Sequence, residues 1–163
     1  MVVLLHWMGE YQERPRTQQR RLAEELVDAG ATVVVGAHPH VLAPVAFLSP
    51  APLRRAYVRY SLGNFVHAMK RFPAKLGGVD RVCLRAGPEG PTVTGVEFTP
   101  TFVRRSAGPD AQRVFRPVPI EDALEQCRRG EGPFPRFSRA ECQEMEALMD
   151  HLAAHPALTP TDL

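Results

Sequence analysis

Two histidines one residue apart, His38 and His40, follow a run of β-branched residues, Thr32-Val33-Val34-Val35, and a glycine, Gly36. Imidazoles at that spacing, on a turn leaving a strand, can each give one nitrogen to a metal ion such as Zn, Fe, Mn or Ni. Taken alone, such a pair is more often surface decoration or a capping pair on a loop. His6 shifts that balance, because it ends an earlier strand-like run, Val2-Val3-Leu4-Leu5. Glu10 lies in the loop that leaves the same strand. A carboxylate there could orient a histidine, act as general acid or base, or stay solvated. Trp7 and Tyr11 are candidates for a pocket wall, although core packing is the commoner use of Trp. Asn64, after Gly63, could reach into the site or simply form a turn. His67, His151 and His155 have no partner in sequence and receive no role. Gly-x-Ser-x-Gly, the P-loop and the dinucleotide glycine fingerprint are absent.

The elements that must position these residues are legible in outline. The run through Trp7 is almost continuously apolar, as expected of a strand buried on both faces. Pro15 suits the first turn of a helix that runs to Ala29. Its apolar stripe is Leu22, Leu26 and Val27, flanked by Ala23 and Ala29. Gln19, Arg20, Glu24, Glu25 and Asp28 form its wet side. Gly30 falls where a C′ glycine belongs. Strand, helix and strand in this length predict a βαβ unit with parallel strands and a right-handed crossover. His6 and the His38/His40 pair then leave the same carboxyl edge, where ligands bind in open α/β sheets. If the strands are neighbours they lie about 4.8 Å apart.

Further strands are predicted at 44–48, 54–60, 78–85, 92–99 and 113–118, with a basic irregular loop over 67–76, a connector at 87–91 and a loop over 106–110. A short helix is predicted over 120–129, then a Gly/Pro linker. A last helix is capped by Ser138, with Glu141 completing a capping box. Cys142, Met145, Leu148, Met149 and Leu152 share one face of it, a core stripe. The tail from His155 is expected to fray. Residues 1–130 are read as the main unit and 131–163 as a linker and helix packed on it.

With 163 residues and a formal charge of +2, the chain is long enough to bury roughly 70% of its extended surface. The basic residues form no stripe that would engage nucleic acid. No apolar run is long enough to span a membrane, and the N-terminus lacks the features of a signal peptide. Cys83, Cys127 and Cys142 are odd in number and form no CxxC pair, so free, largely buried thiols are expected rather than a zinc ribbon or disulfides.

Taken in order, four segments resemble one family: His6-Trp7-Met8-Gly9-Glu10-Tyr11, Asp28-Ala29-Gly30-Ala31, Gly36-Ala37-His38-Pro39-His40-Val41 and Tyr60-Ser61-Leu62-Gly63-Asn64-Phe65-Val66. They resemble the bacterial CapA family, proteins associated with poly-gamma-glutamate capsule synthesis and similar in fold to calcineurin-type metallophosphoesterases. The resemblance covers residues 1–66 and is loose beyond, where it is limited to expected strands and the step Arg116-Pro117-Val118-Pro119-Ile120. Met8 stands where the family often has glycine. The family's earlier motifs, a Gly-Asp strand end, an Asn/Glu segment and an Asn-Asn-His segment, have no counterpart. The implied fold is therefore an α/β calcineurin-like metallophosphoesterase sandwich, with sheets flanked by helices and its N-terminal half missing.

The resemblance implies that His6 and His38 serve one divalent ion and His40 another, as Mn, Fe or Zn in a two-metal site. Glu10 and His38 would be catalytic, and Trp7, Tyr11 and Asn64 would contact substrate or support the ligands. An intact relative would carry out metal-assisted hydrolysis of a phosphoryl or amide-type centre. This chain holds about half the ligands and is expected to be inactive alone. An anionic polymer or a small molecule is the implied substrate, and relatives are often associated with the envelope. Two alternatives stay open: a mononuclear zinc held by His6, His38 and His40, and a polymer-binding or interaction module without catalysis. Absent neighbouring strands would leave an unpaired edge and self-association.

Overall fold

The computed structural model describes residues 1–107 and 112–160. It is an α/β arrangement of two sheets and three helices. The first sheet has the order β1 (Val2–His6), β2 (Val33–Ala37), β4 (Arg54–Leu62), β3 (Leu42–Ala51). The β1–β2 and β2–β4 pairs are parallel and β3 is antiparallel to β4. The second sheet is antiparallel, β5 (Leu76–Arg85), β6 (Thr92–Ala107), β7 (Arg113–Pro119). Helix α1 (Thr17–Asp28) joins β1 to β2, and α2 (Ile120–Arg129) and α3 (Arg139–Ala154) follow β7. Among the described residues no helix is long and apolar enough to cross a membrane.

Three apolar clusters follow from strand alternation. One face of the first sheet packs Val34, Ala56, Val58 and Tyr60 against Ala23 and Val27 of α1. The opposite face meets the second sheet through Val33, Tyr57 and Val93. The far end of the second sheet packs Phe102 and Val118 against α2 and α3, where Met145, Leu148 and Leu152 carry the predicted stripe. Ser138 caps α3, accepting from the Glu141 amide at 3.2 Å while the Glu141 carboxylate accepts from the Ser138 amide at 2.7 Å.

Several expectations need correction. β1 is an edge strand, not one buried on both faces. Among the described residues it pairs with β2 alone, and Val2 and Leu4 stand 59% and 78% exposed. The second sheet covers Val33 and Val35 of β2 and no residue of β1. The buried face of α1 is centred on Gln19, Ala23 and Val27, and Leu22 is exposed. Gln19 left the wet side because its Oε1 turns back to accept from the Arg16 amide at 2.6 Å, at the helix start. Pro15 lies just before that start.

β6 runs on through Pro100 to Ala107, well past residue 99. A proline normally argues against a central strand. Here pairing with β7 begins only at Thr101, so Pro100 gives up no bond on that side. Ser106 and Ala107 are strand, and the rest of the expected 106–110 loop lies outside the described residues. The thiol expectation also fails: Cys127 and Cys142 form a disulfide that staples α2 to α3, and Cys83 is free and exposed. The tail does not simply fray. Pro156–Leu158 is a 3-10 turn with Leu158 buried.

Candidate functional site

The parallel β1–β2 register sets His6 directly beside Ala37, so both strands release their loops at one edge. Backbone bonds then zip the two loops together. The Trp7 amide donates to Ala37 O at 3.0 Å and the Tyr11 amide to Pro39 O at 2.7 Å. Tyr11, His38 and His40 have φ of 55°, 93° and 61°. Non-glycine residues avoid that left-handed region, and such strain gathers where the surrounding structure holds a functional geometry in place.

The Trp7 indole is buried and donates to Tyr60 O at 2.8 Å. That reach explains Gly36: a Cβ there would stand 1.8 Å from the indole nitrogen and 2.3 Å from Tyr60 O. Trp7 therefore stiffens the edge from beneath, through the strand β4 that also delivers Asn64.

The His6 and His38 rings lie 4.5 Å apart between centroids, and those of His38 and His40 lie 5.5 Å apart. Ligand atoms of Glu10, His38 and His40 all fall within 4.8 Å of one another, and His6 stands outside that group. Glu10 is exposed; the two histidines are half-buried.

Asn64 sets the state of His40. Its Nδ2 donates to His40 O and to Ala74 O, each at 2.9 Å, so Oδ1 is the atom facing His40 Nδ1 at 2.9 Å. A carbonyl oxygen accepts, so Nδ1 carries the ring proton in the neutral imidazole and Nε2 is left with its lone pair. That Nε2 faces Glu10 Oε1 at 3.8 Å. Both groups present lone pairs that a single cation could share. Nitrogen and carboxylate ligands each bind zinc at about 2.0–2.2 Å, so this separation is within reach of one ion. The donor set of imidazoles and a carboxylate thus fits a divalent metal.

Tyr11 borders the site, its ring 6.2 Å from His40. Sequence reasoning passed over three neighbours in the basic loop. Met69 Sδ lies 3.3 Å from Asn64 Nδ2 and 3.8 Å from Tyr11 Oη. The Arg71 guanidinium covers the Tyr11 ring at 4.8 Å. His67, set aside as bland, is near enough to feel His40: burial, then His40, then Lys75 hold its pKa below the ordinary value. Only basic character marked that loop in the sequence. His151 and His155 stack on each other at 4.4 Å and belong to α3 and its end.

A family model described as bacterial capsule synthesis protein PGA_cap matches residues 1–69. The PGA biosynthesis protein CapA of Bacillus subtilis (strain 168) is 46% identical over 66 residues, which is 40% of this chain and 16% of that protein. The capsule biosynthesis protein CapA of Bacillus anthracis is 46% identical over 66 residues, covering 40% of this chain and 15% of its own length. An uncharacterised Sinorhizobium fredii protein, y4sH, is 37% identical over 68 residues, covering 42% of this chain and 14% of its own. The match thus spans about a sixth of the length of these relatives. No solved structure matches the chain.

Proposed function

We propose, from the match of residues 1–69 to the bacterial capsule synthesis family and from the geometry of the histidine edge, that this edge is a divalent-metal site serving synthesis of a capsule or envelope polymer. The observation that carries this reading is the convergence of Glu10, His38 and His40 within 4.8 Å on a backbone held in the left-handed region at both histidines. Such an ion, when bound, would supply Lewis-acid polarisation and a more acidic water. The chain's own residues do the rest. His38 and His40 present nitrogens, Asn64 keeps the His40 Nε2 lone pair available, and Glu10 is placed to take or return a proton at the same edge. His6 lies beside His38, its ring tilted against it at 4.5 Å, next to the three-ligand group.

We read this as part of a metal-dependent hydrolase site of calcineurin-like type, with further carboxylate and amide ligands supplied from outside these residues. In the family reading His6 and His38 serve one ion and His40 a second, Mn, Fe or Zn. The exposed face and free edge of β1 beside His6 are where the complementing strands would pair. The isolated chain should then bind metal weakly and hydrolyse phosphodiesters and peptides slowly or not at all. Isothermal titration of the chain with Mn²⁺ and Zn²⁺, against His38→Ala, tests this. The expected result is weak binding abolished in His38→Ala. Tight stoichiometric Zn²⁺ binding without turnover would favour the mononuclear site instead. Brisk turnover lost in His38→Ala would sink the incomplete-site reading.

A further inference from the structure

Residues 65–75 run irregularly between Asn64 and β5. One side of this loop touches the histidine edge through Met69. Its other side walls a separate cleft of about 280 Å³, closed by β6, β7 and α3. Phe102, Val103 and Phe115 supply an apolar wall. Three cationic side chains, Lys70, Lys75 and Arg105, and two carboxylates, Glu141 and Glu144, also line it.

The carboxylates are already engaged. Glu144 pairs with Lys75, and Glu141 accepts from Ser138 and from Arg104. Lys70 and Arg105 are exposed, and neither forms an ion pair among the described residues. His67 adds a donor. Its Nδ1 accepts from the Met69 amide at 2.9 Å, so the neutral ring carries its proton on Nε2. That Nε2–H is shut off from solvent and has no acceptor. A buried donor without a partner is destabilising, and an arriving acceptor would recover that loss. Burial holds the ring in its neutral form, as a donor and not a cation.

We propose that this cleft binds a small organic monoanion, a carboxylate on an aliphatic body. Lys70 and Arg105 take the charge, His67 Nε2–H donates to an acceptor oxygen, and the aliphatic part lies on Phe102, Val103 and Phe115. With Glu144 paired to Lys75 and Glu141 to Arg104, Lys70 and Arg105 remain as two cationic donors for the two oxygens of one carboxylate, and the apolar wall, which a bare inorganic anion such as phosphate would leave unused, selects an aliphatic body. The site needs no metal and stands apart from the histidine edge.

The test uses the full chain in EDTA, titrated with valerate and separately with inorganic phosphate, and read by calorimetry and by the ¹⁵N resonances of the His67 ring. Valerate should bind saturably and shift the His67 Nε2 signal, with phosphate weaker. The K70Q/R105Q double variant should weaken valerate by about tenfold or more with an unchanged melting temperature, because both side chains are exposed and unpaired. His38→Ala should leave valerate binding intact, which separates this site from the metal reading. No saturable valerate binding, equal or tighter phosphate binding, or valerate affinity unchanged in K70Q/R105Q would each overturn the proposal.

Discussion

Two polar clusters hang on the first sheet and are built on opposite principles. At the centre, the Arg59 guanidinium on β4 is fully buried and grips Asp80 of β5 with two bonds of 2.9 Å. Tyr57 donates to the same carboxylate at 2.7 Å, and Arg59 Nη1 donates to Leu158 O at 2.6 Å. The Phe98 ring lies under the guanidinium at 4.9 Å. This knot joins both sheets and the chain's end. At the carboxyl edge, by contrast, Glu10, His38 and His40 are open to solvent, two acceptors face each other across 3.8 Å, and the backbone is strained. The knot satisfies every charge internally and leaves nothing for a ligand. The edge leaves its lone pairs unsatisfied, and that incompleteness is the condition the proposed metal site rests on.

The largest effect is expected at the knot. Arg59→Met would leave Asp80 buried and uncompensated, so it should destabilise by about 3–5 kcal/mol in urea unfolding. Adding Asp80→Leu should recover much of that, since removing both charges ends the desolvation penalty. A loss under about 1 kcal/mol for Arg59→Met would mean the knot is not what ties the sheets. Next in size is the staple between α2 and α3. Closing a loop of 15 residues is worth about 3 kcal/mol, so dithiothreitol should lower the melting temperature, and Cys127→Ser/Cys142→Ser should melt at that lower temperature with or without reductant.

Acid should act on α3. Burial raises the Glu141 pKa, but the Ser138 amide and hydroxyl and the Arg104 guanidinium outweigh it and hold the carboxyl below its ordinary value. That contribution is present above the unfolded pKa and lost as pH falls through the folded one. His151 is also held low, by burial and then by His155 against the opposing charge of Glu13. An unfolded chain therefore binds its proton first, and stability declines as pH drops below the ordinary histidine range. Stability measured from pH 8 to pH 2 should begin to fall below 6.5, where the unfolded histidine protonates, and fall again below 4.5 as Glu141 protonates. Ser138→Ala, costing about 1 kcal/mol, should flatten the acidic end.

The smallest effect on stability is expected at the edge. His38 sits at φ 93°, so His38→Gly relieves strain worth about 1–3 kcal/mol while adding unfolded-chain entropy. The net change should be near zero in metal-free protein, with metal binding lost. A loss as large as that of Arg59→Met would show that the edge is structural after all.

Much of the edge is legible in the sequence. The β-branched run before Gly36, the amphipathic helix, and Gly30 at its end predicted a parallel βαβ unit, and β1 and β2 are parallel neighbours. Ser138 with Glu141, and the Met145–Leu148–Leu152 stripe, predicted α3 and its buried face. Arg59 was invisible, because an arginine in an alternating strand reads as a solvated position and its partner lies 21 residues away on another sheet. The disulfide was hidden by the same limit: cysteine spacing does not say which helices meet. Gln19 misled because a polar side chain that caps its own helix is buried without being apolar.

Sequence alone determined which residues alternate, where the helices start and stop, and that the histidines leave strand ends. Those are local properties of propensity, capping and period, set within a few residues. Tertiary structure decided that β1 is an uncovered edge, that Asn64 fixes the His40 proton, that Glu10 meets the imidazoles, and that Arg59 is a core residue. Each of these depends on which distant surfaces are pressed together, and the chemistry of an unpaired acceptor or a buried charge exists only once they are.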